Sequence, residues 1–151
     1  MSSTTFSGPV TSTNGFITPV SNSTAATLAI ATGGLKTLNA AAGQAVTLPE
    51  ATGSGAEIIL FIGTTITSNT TTVTAEGAGT MAGVSIVAND GGATASIFET
   101  VAGNNTITFD GSTTGGILGT KVVLMDVAAD LWSVVITTAA TGTEATPFST
   151  V

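Results

Sequence analysis

From about residue 45 onward the chain alternates large apolar residues with Thr, Ser or Gly, in stretches cut by Gly, Asn, Asp and Pro. A period of two with β-branched residues is the mark of strands whose faces meet different surroundings. Val46-Thr47-Leu48 ends at Pro49, and Thr64 to Thr67 and Thr71 to Ala75 alternate Thr with Ile or Val. Glu57 to Ile62 departs from alternation: it is a nearly continuous apolar run of strand length, which reads as a strand buried on one or both sides. Gly83 to Ala88 stops at Asn89-Asp90-Gly91-Gly92, Ala93 to Thr100 at Gly103-Asn104-Asn105, and Thr106 to Phe109 at Asp110-Gly111, the last two stops reading as hairpin ends. The C-terminal third predicts a strand over Thr120 to Val127, a short turn ending at Asp130, and a strand over Leu131 to Ile136. Trp132 lies in that second strand and is expected to anchor the core.

Helical signals are thin. Thr24 to Ala31 and Leu38 to Ala45 are Ala-rich enough for a turn of helix, but Gly or Thr interrupts both and neither spans a full amphipathic helix. The expected class is therefore all-β, an antiparallel sandwich or jelly-roll-like barrel of about eight to ten strands. No fixed-length repeat is visible, which argues against a solenoid. Residues 1–24 are dominated by Ser, Thr, Gly, Pro and Asn, with Phe6, Val10, Phe16, Ile17 and Val20 spaced along them and Pro9 and Pro19 removing amide donors. Such a segment reads as an extended N-terminal arm whose apolar side chains seek a docking surface, with an ordinary frayed terminus as the alternative, ahead of a compact β domain over residues 25–151.

Composition narrows the chemistry. The chain of 151 residues has no His, Cys, Tyr or Arg, two Lys (Lys36 and Lys121) and nine carboxylates, for a net charge of −7. Ser-His-Asp triads, Cys-His pairs and ordinary zinc sites are ruled out by that inventory. With two cations there is no basic stripe to neutralise nucleic-acid phosphates or anionic lipid, so neither partner is expected. The N-terminus shows no basic segment followed by an apolar one of the secretory type, and the longest apolar run is too short to span a bilayer as a helix. With 42% hydrophobic and 7% charged residues, the surface should be apolar enough to favour self-association.

Two kinds of site remain open to carboxylates, hydroxyls and backbone. A general acid and base could be built from Glu50 with Glu57 or Asp126 with Asp130, each pair flanking a turn. A chain without Tyr or Arg and with one Trp is poorly equipped to hold a sugar, so solvated turn carboxylates are the simpler reading and no enzyme is expected. Calcium could be met by Asp90 with Asn89, by Asp110 with Asn104 and Asn105, or by Asp126 with Asp130, although none matches a known calcium loop. Turn chemistry, in which Asn and Asp bond to nearby backbone, accounts for the same residues without metal, and no cofactor is expected. Gly33-Gly34 and Gly115-Gly116 lack the Lys and Ser/Thr that follow in a phosphate loop.

The phrases Ala45-Val46-Thr47-Leu48-Pro49-Glu50-Ala51-Thr52-Gly53-Ser54-Gly55-Ala56-Glu57, Phe109-Asp110-Gly111-Ser112-Thr113-Thr114-Gly115-Gly116, Leu131-Trp132 and Gly142-Thr143-Glu144-Ala145-Thr146-Pro147-Phe148 resemble small virion-associated proteins of tailed phages. The likeness covers most of residues 45–148. It implies a non-enzymatic head decoration or cement protein on the outer surface of the capsid, acting as a homotrimer. Its partners would be its own copies and the major capsid protein, with Phe6, Val10, Phe16 and Ile17 on the capsid-binding arm. A tail fibre, spike or head-fibre component that recognises a host surface is the alternative.

Overall fold

The computed structural model describes residues 20–31 and 33–151, so the capsid-binding positions expected at Phe6, Val10, Phe16 and Ile17 lie outside the described residues. Among the described residues twelve strands run in order: β1 Ser21–Ser23, β2 Thr27–Ala29, β3 Gly34–Leu38, β4 Ala45–Thr47, β5 Glu57–Ile62, β6 Thr71–Thr74, β7 Thr80–Ala88, β8 Ala95–Glu99, β9 Thr106–Phe109, β10 Lys121–Ala128, β11 Leu131–Ala139 and β12 Phe148–Ser149. A wide sheet has the order β1-β3-β5-β10-β11-β7-β8, and a narrow one the order β12-β9-β6-β4-β2. The fold is an all-β sandwich. Neither Ala-rich stretch is helical: Thr24 to Ala31 holds β2, and Leu38 to Ala45 runs from the end of β3 through a turn to the start of β4; the body begins within the last residues assigned to the arm, since Ser21–Ser23 pairs with β3.

Strand directions are mixed, where antiparallel pairing was expected throughout. β1, β3 and β5 are parallel neighbours in the wide sheet, and β2, β4 and β6 are parallel neighbours in the narrow one. The chain therefore crosses from sheet to sheet at each step and winds through three stacked coils. Ser21 stands beside Lys36 and Lys36 beside Leu60, so successive coils differ in length and leave no constant period in the sequence. Gln44, buried between coils, donates from its side-chain amide to Ser23 Oγ at 3.1 Å and to the Ala25 carbonyl at 2.6 Å.

The remaining strands are joined mainly by antiparallel pairing. β10 and β11 form the expected hairpin, with Val123 opposite Val135 and a bulge between Asp126 and Ala128. β7 and β8 form another across Asn89-Asp90-Gly91-Gly92. The stops at Gly103-Asn104-Asn105 and Asp110-Gly111 are not hairpin ends; there the chain passes from β8 to β9 and from β9 to β10, each time changing sheet. A turn signal marks a reversal and does not say which sheet receives the next strand. β7 also pairs in parallel with β11, closely enough that a side chain at Gly83 would strike the Val134 carbonyl.

Between the sheets lies one core. Ile58, Leu60, Leu124, Trp132, Val134 and Ile136 project into it from the wide sheet, and Val46, Val73, Ile107 and Phe109 from the narrow one. Trp132 is 1% exposed, and its indole Nε1 and the Ser85 hydroxyl are buried without a hydrogen-bond partner. Each fully buried aliphatic or aromatic side chain contributes about 1.5–3 kcal/mol relative to solvent exposure, so a core drawn from both sheets holds the sandwich together without disulfides.

Candidate functional site

The alternation of β10 that sends Val122 and Leu124 into the core also sends Asp126 inward, at the rim where the segment after β4 passes over the sheet. A carboxylate there needs donors, because desolvation without hydrogen bonds is costly. Thr52-Gly53-Ser54 supplies them. Its amides donate to Asp126 at 3.0 and 3.1 Å from Thr52, 2.6 Å from Gly53 and 3.0 Å from Ser54. The Ser54 hydroxyl adds a bond of 2.6 Å and the Thr52 hydroxyl one of 3.2 Å. The Ser54 hydroxyl first, then the amides of Ser54, Gly53 and Thr52, hold this carboxyl well below the ordinary carboxylate range, outweighing burial. The residue is 3% exposed and its oxygens are saturated.

Asp110 builds a second, smaller cage at the end of β9. Its Oδ1 accepts from the amides of Ser112 at 2.8 Å and Thr114 at 3.0 Å, and its Oδ2 accepts from the Thr113 hydroxyl at 2.7 Å. The Thr114 hydroxyl accepts in return from the Asp110 amide at 3.0 Å. Partial burial raises this carboxyl, but the Thr113 hydroxyl and the Thr114 and Ser112 amides together carry it well below its usual range. Gly111 follows with φ 78°, where a side chain would collide with the Ile66 carbonyl, so the turn is open only to glycine.

The other calcium candidates are likewise engaged in turns. Asp130 occupies the left-handed region at φ 59° in the β10–β11 turn, its amide donating to the Ala51 carbonyl at 2.9 Å and its carbonyl accepting from the Thr80 amide at 2.8 Å. Asp90 accepts from the Gly142 amide at 3.1 Å. Asn89 Oδ1 accepts from Ser96, Asn104 Oδ1 from the Val101 amide, and Asn105 Oδ1 from the Val151 amide. Among the described residues no three acidic side chains gather where a metal could sit. Of the oxygens singled out from the sequence, those of Asp90, Asp110, Asp126, Asn89, Asn104 and Asn105 thus act as acceptors for backbone amides, some close in the chain and some distant.

As a catalytic pair, Asp126 and Asp130 are mismatched. Asp126 is fixed in its ionised form by its donors and is walled off by Thr52 to Ser54, so it has neither a proton to give near neutral pH nor a free lone pair. Glu50 and Glu57 are both exposed on opposite flanks of that same loop. Gly115, in the Asp110 turn, donates its amide to the Ser112 carbonyl at 3.2 Å. A shallow groove of about 290 Å³ between Ile117–Thr120 and Thr137–Ala139 is lined by aliphatic and hydroxyl groups, with Thr120 and Thr138 sharing a hydrogen bond of 2.6 Å.

The outer faces carry the larger surface features. Across the wide sheet Leu35, Ile59, Val123, Val135 and Val84 stand side by side on five adjacent strands, all facing away from the core. The next row runs Thr37, Phe61, Lys121, Thr137, Ile86 and Ile97. The narrow sheet shows the opposite: Thr27, Ala45, Thr72 and Thr108 in one row, and Ala29, Thr47, Thr74, Thr106 and Ser149 in the other. Reading strands singly left the apolar rows unassembled, although the unbroken runs Ile58–Ile62 and Val122–Met125 carried the signal, having no polar residue to offer the outside. No family model, curated protein or solved structure matches the chain.

Proposed function

We propose that this chain is a non-enzymatic structural protein of a virus particle, a head decoration or cement protein that binds the outside of a tailed-phage capsid as a homotrimer. The observation that carries the structural part of this reading is the use made of its polar chemistry. Asp126 and Asp110, the two carboxylates with the strongest hydrogen-bonding environments, are consumed in pinning loops 52–54 and 112–114 to the sheets. A body so braced offers broad, rigid faces, the property required of a protein that works by contact. The capsid assignment rests on the resemblance of residues 45–148 to tailed-phage virion proteins.

In this reading residues 1–19, with Phe6, Val10, Phe16 and Ile17, supply the contact with the major capsid protein, and the sandwich stands on the shell. Binding only to the assembled shell stabilises it by mass action. The deciding measurement is the copy number per purified particle, by quantitative mass spectrometry against the major shell protein. A ratio near one copy per shell subunit is expected; a handful per particle transfers the chain to a tail or head fibre, and absence from particles overturns the virion reading.

A further inference from the structure

We infer that copies of this chain associate through the outer face of the wide sheet, turning the row Leu35, Ile59, Val123, Val135 and Val84 toward the same faces of neighbouring copies about a shared axis. The face has the area for it. Seven strands about 4.8 Å apart, with outward positions spread over about six residues, make a footprint of roughly 30 by 20 Å, about 600 Å² in plane. Pleating and side chains raise the accessible area toward the ~800 Å² that each partner brings to a stable interface. Ile97 is 65% exposed, Val135 42%, Ile86 40% and Met125 40%, so four large apolar side chains of this face stand in water beside the half-buried row.

Charge points to the same occupant. The chain carries −7 overall, so two copies repel unless they meet where the acidic groups are few. The wide outer face is such a place. Its strand positions include Glu57 and Glu99 toward the margins and Lys121, one of only two lysines, between Phe61 and Thr137 near the middle, for a local sum of −1. Glu50, Glu76, Asp110 and Glu144 sit in turns and loops outside its strands, Asp90 and Asp130 lie in the turns at the ends of its two hairpins, and Asp126 points into the core. A face that is apolar and nearly neutral on a strongly acidic protein suits another copy of itself, with the lysine of one copy able to meet a marginal glutamate of the next.

Self-association through this face rests only on the assembly part of the proposed function: purified protein that oligomerises yet ignores capsids sinks the capsid reading and leaves the face intact. The test is native mass spectrometry and light scattering on the full chain at high micromolar concentration. Wild type and Thr72→Glu, which places a charge on the opposite face, are expected as the same oligomer, while Val135→Glu and Met125→Lys are expected as monomers with an unchanged far-ultraviolet circular dichroism spectrum. Both apolar-face positions are exposed in the single chain, so either variant that folds decides the matter. A monomeric wild type, including one whose face is covered by its own residues 1–19, or an oligomer that survives the folded apolar-face variants, overturns the inference.

Discussion

The two sheets contribute to one interior but turn opposite chemistries outward. The wide sheet presents Ile, Leu, Val and Phe in rows across five strands, whereas the narrow sheet presents Thr and Ala. On the narrow side threonine satisfies two demands together: its branched Cβ suits the pleat, and its hydroxyl meets water or a neighbour, as in the 3.3 Å bond from Thr106 to Thr74. On the wide side that compromise is made only in part, at Thr37 and Thr137. Leu35, Ile59, Val123, Val135 and Val84 suit the pleat without offering water a hydrogen bond.

The interior should be indifferent to that contrast. Trp132→Ala, from the wide sheet, and Phe109→Ala, from the narrow one, are each expected to cost about 3–5 kcal/mol in urea denaturation, because both side chains are essentially fully buried in the same cluster. A loss confined to one of the two would mean that the sheets unfold separately. Asp126→Asn comes next, because an amide offers one acceptor where the carboxylate offered two to the donors of Thr52 to Ser54. Amide hydrogen exchange at Thr52, Gly53 and Ser54 should quicken markedly, while the narrow sheet keeps its protection.

Acid probes the same tethers. Asp126 and Asp110 both have folded-state acidities stronger than an unfolded aspartate, so their contribution is fully present above the unfolded pKa of about 4 and is lost as pH falls from there through their depressed folded values. Stability should be flat from neutral pH to about pH 5 and decline below about pH 4; Asp110→Asn should make the decline shallower. The smallest effects belong to the outer faces of the single chain. Thr72→Val and Val135→Thr should each alter monomer stability by no more than about 0.5 kcal/mol, yet Val135→Thr should weaken self-association measurably on dilution and Thr72→Val should not.

The hairpin of β10 and β11, the strand at β5 and the all-β class were legible because each is written locally, in apolar runs of strand length, alternating β-branched residues and turn residues. The three parallel coils were not, since unequal loops hide the repeat that stacking imposes. The hairpins expected at Gly103 and Asp110 failed for a related reason: Asn104 and Asp110 close their turns with their own side chains, and the exit direction is set by which core face β9 must fill. Asp126 was legible as an acidic turn neighbour but not as a buried acceptor. Its place in the inward series with Val122 and Leu124 was the available clue, and its donors lie more than seventy residues away in the chain.

The parallel pairing of β7 with β11 also governs the order in which the molecule can form. Trp132 lies beside Met81, and Val135 beside Val84, so the middle of the wide sheet joins segments about fifty residues apart. During synthesis β7 can bind β8 early, but its other edge stays open until residue 139 has left the ribosome, exposing an unpaired strand beside a half-built core. Folding should accordingly be slow for a chain of this size, on the millisecond-to-second scale of non-local β topologies. Completion of the body waits on its C-terminal hairpin, which makes truncation from that end far more damaging than its distance from β1 would suggest.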